Sequence, residues 1–376
     1  MNGFAKFFIK SLSDKGFKIP ADSDWLRNLL HEKRILIKGP KIVAVGGGTG
    51  LSTMLRGLKE YSSNITTVVT VADDGGGSGV LRQDLGLLPP GDIRNCLLAL
   101  ADTEPIMEQL LEYRFEDGML KGQCFGNLFL AAMNGISGNF EEAVRKMSDV
   151  LAVTGRVLPV TLEDIRLVAE LEDGCIIKGE SNIGNHNQVH PGRIRKVFID
   201  PPDAKPLDEV IDAIIDADVV VLGPGSLFTS IIPNLVIDGV KEAINRATAI
   251  KIYVCNIMTQ PGETDYFDTT DHIRAIEEHS FEGIIDFCIV NKSDIPYDLK
   301  QMYELKGAQP VDTRDEALKK VSAEIISGDY FNIFKGKIRH DTKKLSKTIM
   351  QLVAENMLVR DKKRMLDYYY IKERLK

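Results

Sequence analysis

The stretch Gly46-Gly47-Gly48-Thr49-Gly50 has the chemistry of an anion cradle. Glycines between a strand and a helix let backbone N–H groups converge on a phosphate, where a Cβ would block the approach. Leu51 stands where a dinucleotide fingerprint would set its third glycine after Gly46 and Gly48, and no phosphate-loop Lys-Ser/Thr follows. A plain tight turn is the simpler use of the same residues. Asp73-Asp74-Gly75-Gly76 comes next. Acidic residues at the end of a second strand hold a ribose in dinucleotide folds, and paired aspartates hold Mg²⁺ against a diphosphate. A flexible loop with capping aspartates is the plainer alternative.

Three further strings follow in order. In Pro90-Gly91-Asp92-Ile93-Arg94-Asn95, Asp92 suits a helix cap, with Arg94 and Asn95 on the first turn. Gly223-Pro224-Gly225-Ser226, continuing to Thr229, repeats the device of a glycine turn after a buried strand. Two such turns at the carboxyl ends of parallel strands face one crevice, which suits a diphosphate or a phosphate joined to a sugar. Asn256-Ile257-Met258-Thr259-Gln260 would fall at the same sheet edge, where Asn and Thr suit a base or sugar hydroxyls. His186 and His190 are four apart, but Gly184 and Pro191 bracket them, so helical zinc spacing does not apply. No Gly-x-Ser-x-Gly elbow occurs.

These turns need a parallel sheet to carry them. Ile42–Val45 and Ile65–Val71 read as buried strands, with a helix through Leu51, Leu55 and Leu58 between them: a βαβ unit. Helical patterns follow near 92–102, 105–114, 126–136 and 140–151. Strands at Val157–Val160, Ile165–Leu171, Cys175–Gly179 and Ile194–Ile199, two joined by Glu172-Asp173-Gly174, read as an antiparallel insertion over about 155–199. Alternation resumes with Leu207–Ala217 helical, Val219–Leu222 extended, Lys241–Ala247 helical, Lys251–Asn256 extended, Asp271–His279 helical and Phe287–Asn291 extended. The remainder reads as mainly helical, ending in an amphipathic helix from about Lys343. The expected fold is α/β: a Rossmann-like, doubly wound, mostly parallel sheet with an antiparallel insertion. A nucleotide-binding domain over 39–342 would be flanked by an N-terminal appendage at 1–38 and a helical tail at 343–376.

Composition narrows the function. The 376 residues are 44% apolar and 27% charged, a length that builds a full core without disulfides. A formal charge of −7 argues against nucleic acid as a partner. No apolar run reaches the length of a membrane span. Five scattered cysteines, with no Cys-x-x-Cys, read as reduced thiols of a cytoplasmic protein. Both ends are basic, at net +4 over residues 1–38 and +4 over 360–376. Such ends are solvated, or dock on an acidic protein or a membrane surface. Phe4, Phe7, Phe8 and Leu12 would share one side of a short helix in the first of them.

Together the strings Val45–Leu51, Val71–Gly76, Pro90–Asn95, Gly223–Leu227 and Cys255–Gln260 resemble the YvcK/CofD-like family, in its YvcK branch of gluconeogenesis factors. The resemblance spans about residues 41–342. It implies binding of a UDP-sugar, notably UDP-N-acetylglucosamine, in a protein that supports cell shape and cell-wall supply on gluconeogenic carbon. The CofD relatives it also implies are 2-phospho-L-lactate transferases that use a GDP-linked donor and Mg²⁺. It adds Asn127 to the contact residues, and Arg339 of Arg339-His340-Asp341, which matches a family ligand contact. Phe267 stands near a family tyrosine that touches the nucleotide, and Gly77 replaces a common serine.

The expectation is therefore a regulator that binds a nucleotide sugar with little or no turnover. Its cofactor list is empty save for Mg²⁺ on Asp73 and Asp74, and a homo-oligomer is left open. The alternatives are a CofD-like transferase in the same crevice and a nicotinamide oxidoreductase.

Overall fold

The computed structural model describes residues 36–186, 192–313, 321–360, 371–372 and 374–375. The apolar side of the N-terminal appendage and His190 lie outside these. The sheet begins with β1 (Ile42–Gly46), buried along its whole length. A strand covered on both faces must be apolar throughout, which is why Ile42 to Val45 carry no alternation. Helix α1 (Gly48–Leu58) follows, burying Leu51, Met54, Leu55 and Leu58 on one stripe. Strand β2 (Ile65–Val69) returns parallel to β1, Ile42 facing Ile65.

Four helices follow: α2 (Gly76–Leu85), α3 (Pro90–Leu100), α4 (Pro105–Glu112) and α5 (Phe125–Ser137). A fifth, α6 (Phe140–Val150), starts on Asn139, whose side chain accepts the Glu142 N–H. The glycine-rich stretch after Asp74 is mostly helix, not the flexible loop that is the plainer alternative for its start. Its glycines permit close packing, because a Cβ on Gly79 would run into the Asp74 carbonyl oxygen.

The expected insertion is corrected at its first strand. β3 (Arg156–Pro159) pairs parallel with β2 and closes the main sheet. The antiparallel unit holds only β4 (Arg166–Leu171), β5 (Ile176–Lys178) and β6 (Ile194–Asp200), with α7 (Glu180–Asn185) between the last two. A short apolar strand gives no sign of its partner, so the sheet it joins was not legible.

The second half runs through α8 (Asp208–Ile215), β7 (Val219–Leu222), a π-helical turn at Leu227–Ile231, α9 (Ile232–Leu235), α10 (Val240–Arg246) and β8 (Ile250–Val254). Helix α11 (Thr269–Glu278) has a full capping box between Asp268 and Asp271. It leads to β9 (Phe287–Asn291) and α12 (Tyr297–Glu304).

Beyond α12 the described residues add three strands that the helical reading does not include. β10 (Glu324–Gly328) extends the main sheet, and β11 (Phe331–Phe334) pairs antiparallel with β12 (Lys337–His340). Lys335 and Gly336 both have positive φ at the hairpin tip, the backbone a two-residue turn needs. Helix α13 (Thr342–Arg360) packs Leu345, Ile349 and Met350 into the common core rather than hanging as a tail.

The main sheet therefore runs β10-β9-β8-β7-β1-β2-β3, all parallel. From β1 the chain builds outward one way, and from β7 the other way. The order reverses between β1 and β7, where open α/β sheets leave a crevice at their carboxyl edge. All five cysteines are free. No helix among the described residues is long and apolar enough to cross a membrane.

Candidate functional site

The β1–α1 turn gives its Gly48 N–H to the Asp92 carboxylate behind it. Gly47 is extended at the start of α1, and Gly48 has φ +72°, a region that disfavours any side chain. Gly50 cannot be anything larger, because a Cβ there would lie 2.6 Å from the Pro224 carbonyl oxygen. Ser52 and Thr53 both donate to the Thr49 carbonyl, at 3.0 and 2.8 Å. The first turn of α1 is thereby braced, and its N-terminus faces the crevice with the positive end of its dipole.

The second turn, after β7, lies directly against the first. A Cβ on Gly225 would stand 3.2 Å from the Gly47 carbonyl oxygen. Asn256, just past β8, donates to the Gly225 carbonyl at 2.8 Å, and Ser226 donates to Gln260 at 2.6 Å. Thr259 exchanges hydrogen bonds with Gln309, its N–H donating at 2.7 Å and its hydroxyl accepting at 3.0 Å. The loops after β1, β7 and β8 are thus held to one another by their own polar groups.

Between them is a cavity of about 460 Å³. Gly47 to Gly50, Gly225, Ser226, Asn256 and Thr259 line it, as the motif reading expects of a single crevice. The far wall comes from the end of α12 and from β12: Tyr303, Lys306, Arg339 and His340. The Tyr303 hydroxyl accepts the Ile338 N–H at 2.9 Å, tying the two parts of that wall. Enclosure and the neighbouring Arg339 hold His340 down to about 4, so its imidazole is neutral. Lys306 and Arg339 supply positive charge, and among the described residues no carboxylate lines the cavity.

Acidic groups gather behind the turn instead. Asp92 does not cap α3, whose N-cap is Pro89. It lies under the glycine turn, where burial and Asp73 push its carboxyl up to about 7 against the relief given by the Gly48 N–H and Arg94. Burial also pushes Glu180 of α7 up to about 7, helped by Asp73, Asp74 and Asp92, and Glu263 up to about 8, helped by Glu180. Asp73 accepts the Gly75 N–H at 2.9 Å, whereas Asp74 accepts the Ser181 N–H at 2.9 Å across in the insertion. Among the described residues no group of three or more Asp, Glu, His or Cys is arranged to hold a metal.

The motif residues therefore divide. Gly46 is the last residue of β1, and Gly223 follows the end of β7. Asp74 and Gly75 pack toward the first turn of α7, Asp73 bonds within its own loop, and Gly76 follows at the start of α2. Arg94 and Asn95 line a neighbouring cavity, which Arg339 shares. Asn127 is buried with its side-chain oxygen unpartnered. Thr229 is buried and donates to Glu263 at 3.2 Å. The buried Phe267 ring stands edge-on to Phe228 and His272, with Arg193 over its face, so the expected nucleotide-side ring belongs to the core. The aromatic ring at the cavity is Tyr303. Tyr303 and Lys306 had no motif around them, and only the fold brings α12 over the β8 loop.

A parallel sheet with paired glycine turns at its switch point defines a doubly wound α/β protein of the crevice-binding class. A family model described as 2-phospho-L-lactate transferase CofD matches residues 42–331, and the chain belongs to this CofD/YvcK-like family. A Clostridium acetobutylicum relative is 54% identical across 98% of this chain and 82% of its own. The gluconeogenesis factor of Bacillus subtilis is 48% identical across 84% of this chain and 99% of its own. A crystal structure of a UPF0052-family protein from Bacillus halodurans superposes with a TM-score of 0.79 at 45% identity, covering 83% of this chain and 99% of that one.

Proposed function

We propose that this protein is a gluconeogenesis factor that binds a UDP-sugar, UDP-N-acetylglucosamine first among them, and acts as a cytoplasmic regulator rather than a catalyst. The observation that carries this reading is the charge of the cavity. Lys306 and Arg339 face two glycine turns with no lining carboxylate among the described residues, in a chain of net charge −7. A diphosphate suits that field, with its oxygens on the N–H groups of the first turn of α1. Asn256, Ser226 and Thr259 then meet the hydroxyls and the base. The name of the Bacillus subtilis relative supports the role in gluconeogenic growth, and the supply of cell-wall precursor for cell shape is the process such a sensor would serve.

A thermal-shift and calorimetric panel of UDP-N-acetylglucosamine, GDP and NAD, each with and without Mg²⁺, tests this. A ligand at 100 times its Kd adds about 2.7 kcal/mol of stability. Tight NAD binding with no measurable UDP-sugar binding overturns the reading. A second reading, transfer from a GDP-linked donor, draws on the family description. Mg²⁺-dependent GDP binding with product formation would favour it.

A further inference from the structure

We infer that the protein holds a second ligand, a compact oxyanion, in a separate site behind α1. A cavity of about 620 Å³ opens there beside the first, sharing Thr49, Thr53, Arg339 and His340 with it. Its charged lining is Arg56, Arg94, Arg114, Lys335 and Arg339 against two carboxylates, Glu108 and Glu112. Both carboxylates turn to Arg56, at 2.6 and 3.9 Å. Four cations remain.

Arg94 is the decisive residue. It is 9% exposed, and its Nε has no hydrogen-bond partner. Its terminal nitrogens reach only the Cys124 sulfur and the Asn95 side-chain oxygen, the latter at 2.6 Å. Neither neutralises a guanidinium. Cys124 is also the N-cap of the 13-residue α5, so a buried cation stands at the positive end of a helix dipole. The position is built for it: a Cβ on Gly126 would lie 2.6 Å from the Arg94 Cδ. Asp92 is the carboxylate that acts on Arg94, and with its own carboxyl pushed up to about 7 it offsets the guanidinium only in part, so an anion among these cations still gains from the charge. Arg114 and Arg339 bond only to carbonyl oxygens, of Gly122 and Ile338, and stay available. The site fits a phosphate ester or a polycarboxylate, whose oxygens a fork of arginines grips in pairs.

Inorganic phosphate and citrate serve as probes, titrated by calorimetry into the ligand-free protein and again with UDP-N-acetylglucosamine saturating. Saturable binding of either anion in both titrations is expected. The tighter of the two tells a phosphate ester from a polycarboxylate. Arg114→Gln and Lys335→Gln, both exposed at the rim, should each weaken it about tenfold and leave UDP-sugar affinity unchanged. Arg94→Gln should abolish it, with circular dichroism to verify the fold. No anion binding by the intact protein overturns the inference, as does one-for-one displacement by the UDP-sugar or indifference to the rim variants. Anion binding without UDP-sugar binding would retain this site and defeat the function proposed above.

Discussion

The carboxylate of Asp92 presses on the glycine turn so closely that a Cβ on Gly47 would lie 2.5 Å from its Oδ2. An acid thus stands directly behind the backbone N–H groups that a diphosphate would use. Because its carboxyl is pushed up to about 7, that acid is near half-protonated at neutral pH.

Binding of a diphosphate should follow that proton. Protonated Asp92 leaves the cradle positive, and ionised Asp92 adds a negative charge behind it. Affinity for UDP-N-acetylglucosamine is expected to fall as pH rises from about 6 to about 8, and Asp92→Asn to flatten the profile. Calorimetry across that range decides, and a flat profile in the unmutated protein would contradict it.

Gly48→Val and Gly225→Val should each abolish ligand binding in a folded protein. Valine at Gly48 takes on the positive-φ strain, about 1–2 kcal/mol, and a branched chain in the path of the phosphate. At Gly225 the new Cβ meets the Gly47 carbonyl and pushes the two turns apart. Melting should fall by a few degrees while circular dichroism is retained. Unchanged affinity in either folded variant removes that turn from the site.

Asp74→Asn keeps an oxygen for the Ser181 N–H and removes one charge. Ligand affinity is expected to hold or rise slightly, with no Mg²⁺ dependence in either protein. Strong Mg²⁺-dependent binding that the substitution destroys would favour the transferase.

Glu263 gives the fold a pH slope of its own. Its folded value of about 8 lies above the usual carboxyl value of 4.5, so the native state holds the proton longer than the unfolded chain. The resulting stability is complete below about pH 4.5 and is lost as pH rises through about 8. Glu263→Gln preserves the bonds to Thr229 and Gln260 without the charge, so its melting temperature should exceed that of the unmutated protein at pH 8 and above. A Gln variant that melts lower across the whole range would show the carboxylate to be stabilising.

How much of this was legible depended on range. Val219–Leu222 and Phe287–Asn291 match their observed strands residue for residue, because a short buried run between turn residues is a local signal. Glycine turns at the ends of β1 and β7 were legible for the same reason, and parallel strands bring such turns to one edge. Pairing is not local, so β3 was assigned to the insertion and β10 was missed. Phe267 was placed by resemblance at the ligand, but the cluster of Phe228, His272 and Arg193 that encloses it comes from three separate segments. Asp92 looked like a cap because Pro89 and Pro90 hide the true start of α3. The Lys335-Gly336 pair carried a readable hairpin signal between Phe331–Phe334 and Lys337–His340.

The cavity also has an order of assembly. Its floor, Gly47 to Gly50, emerges early in synthesis, whereas Tyr303, Lys306 and Arg339 emerge near the end. A nascent chain thus exposes a half-made crevice until β12 has left the ribosome and its hairpin has folded back over β8. On the function proposed above, UDP-sugar capture would need the chain made at least as far as His340, and a chain stopped before it would lack the Arg339 side of the wall.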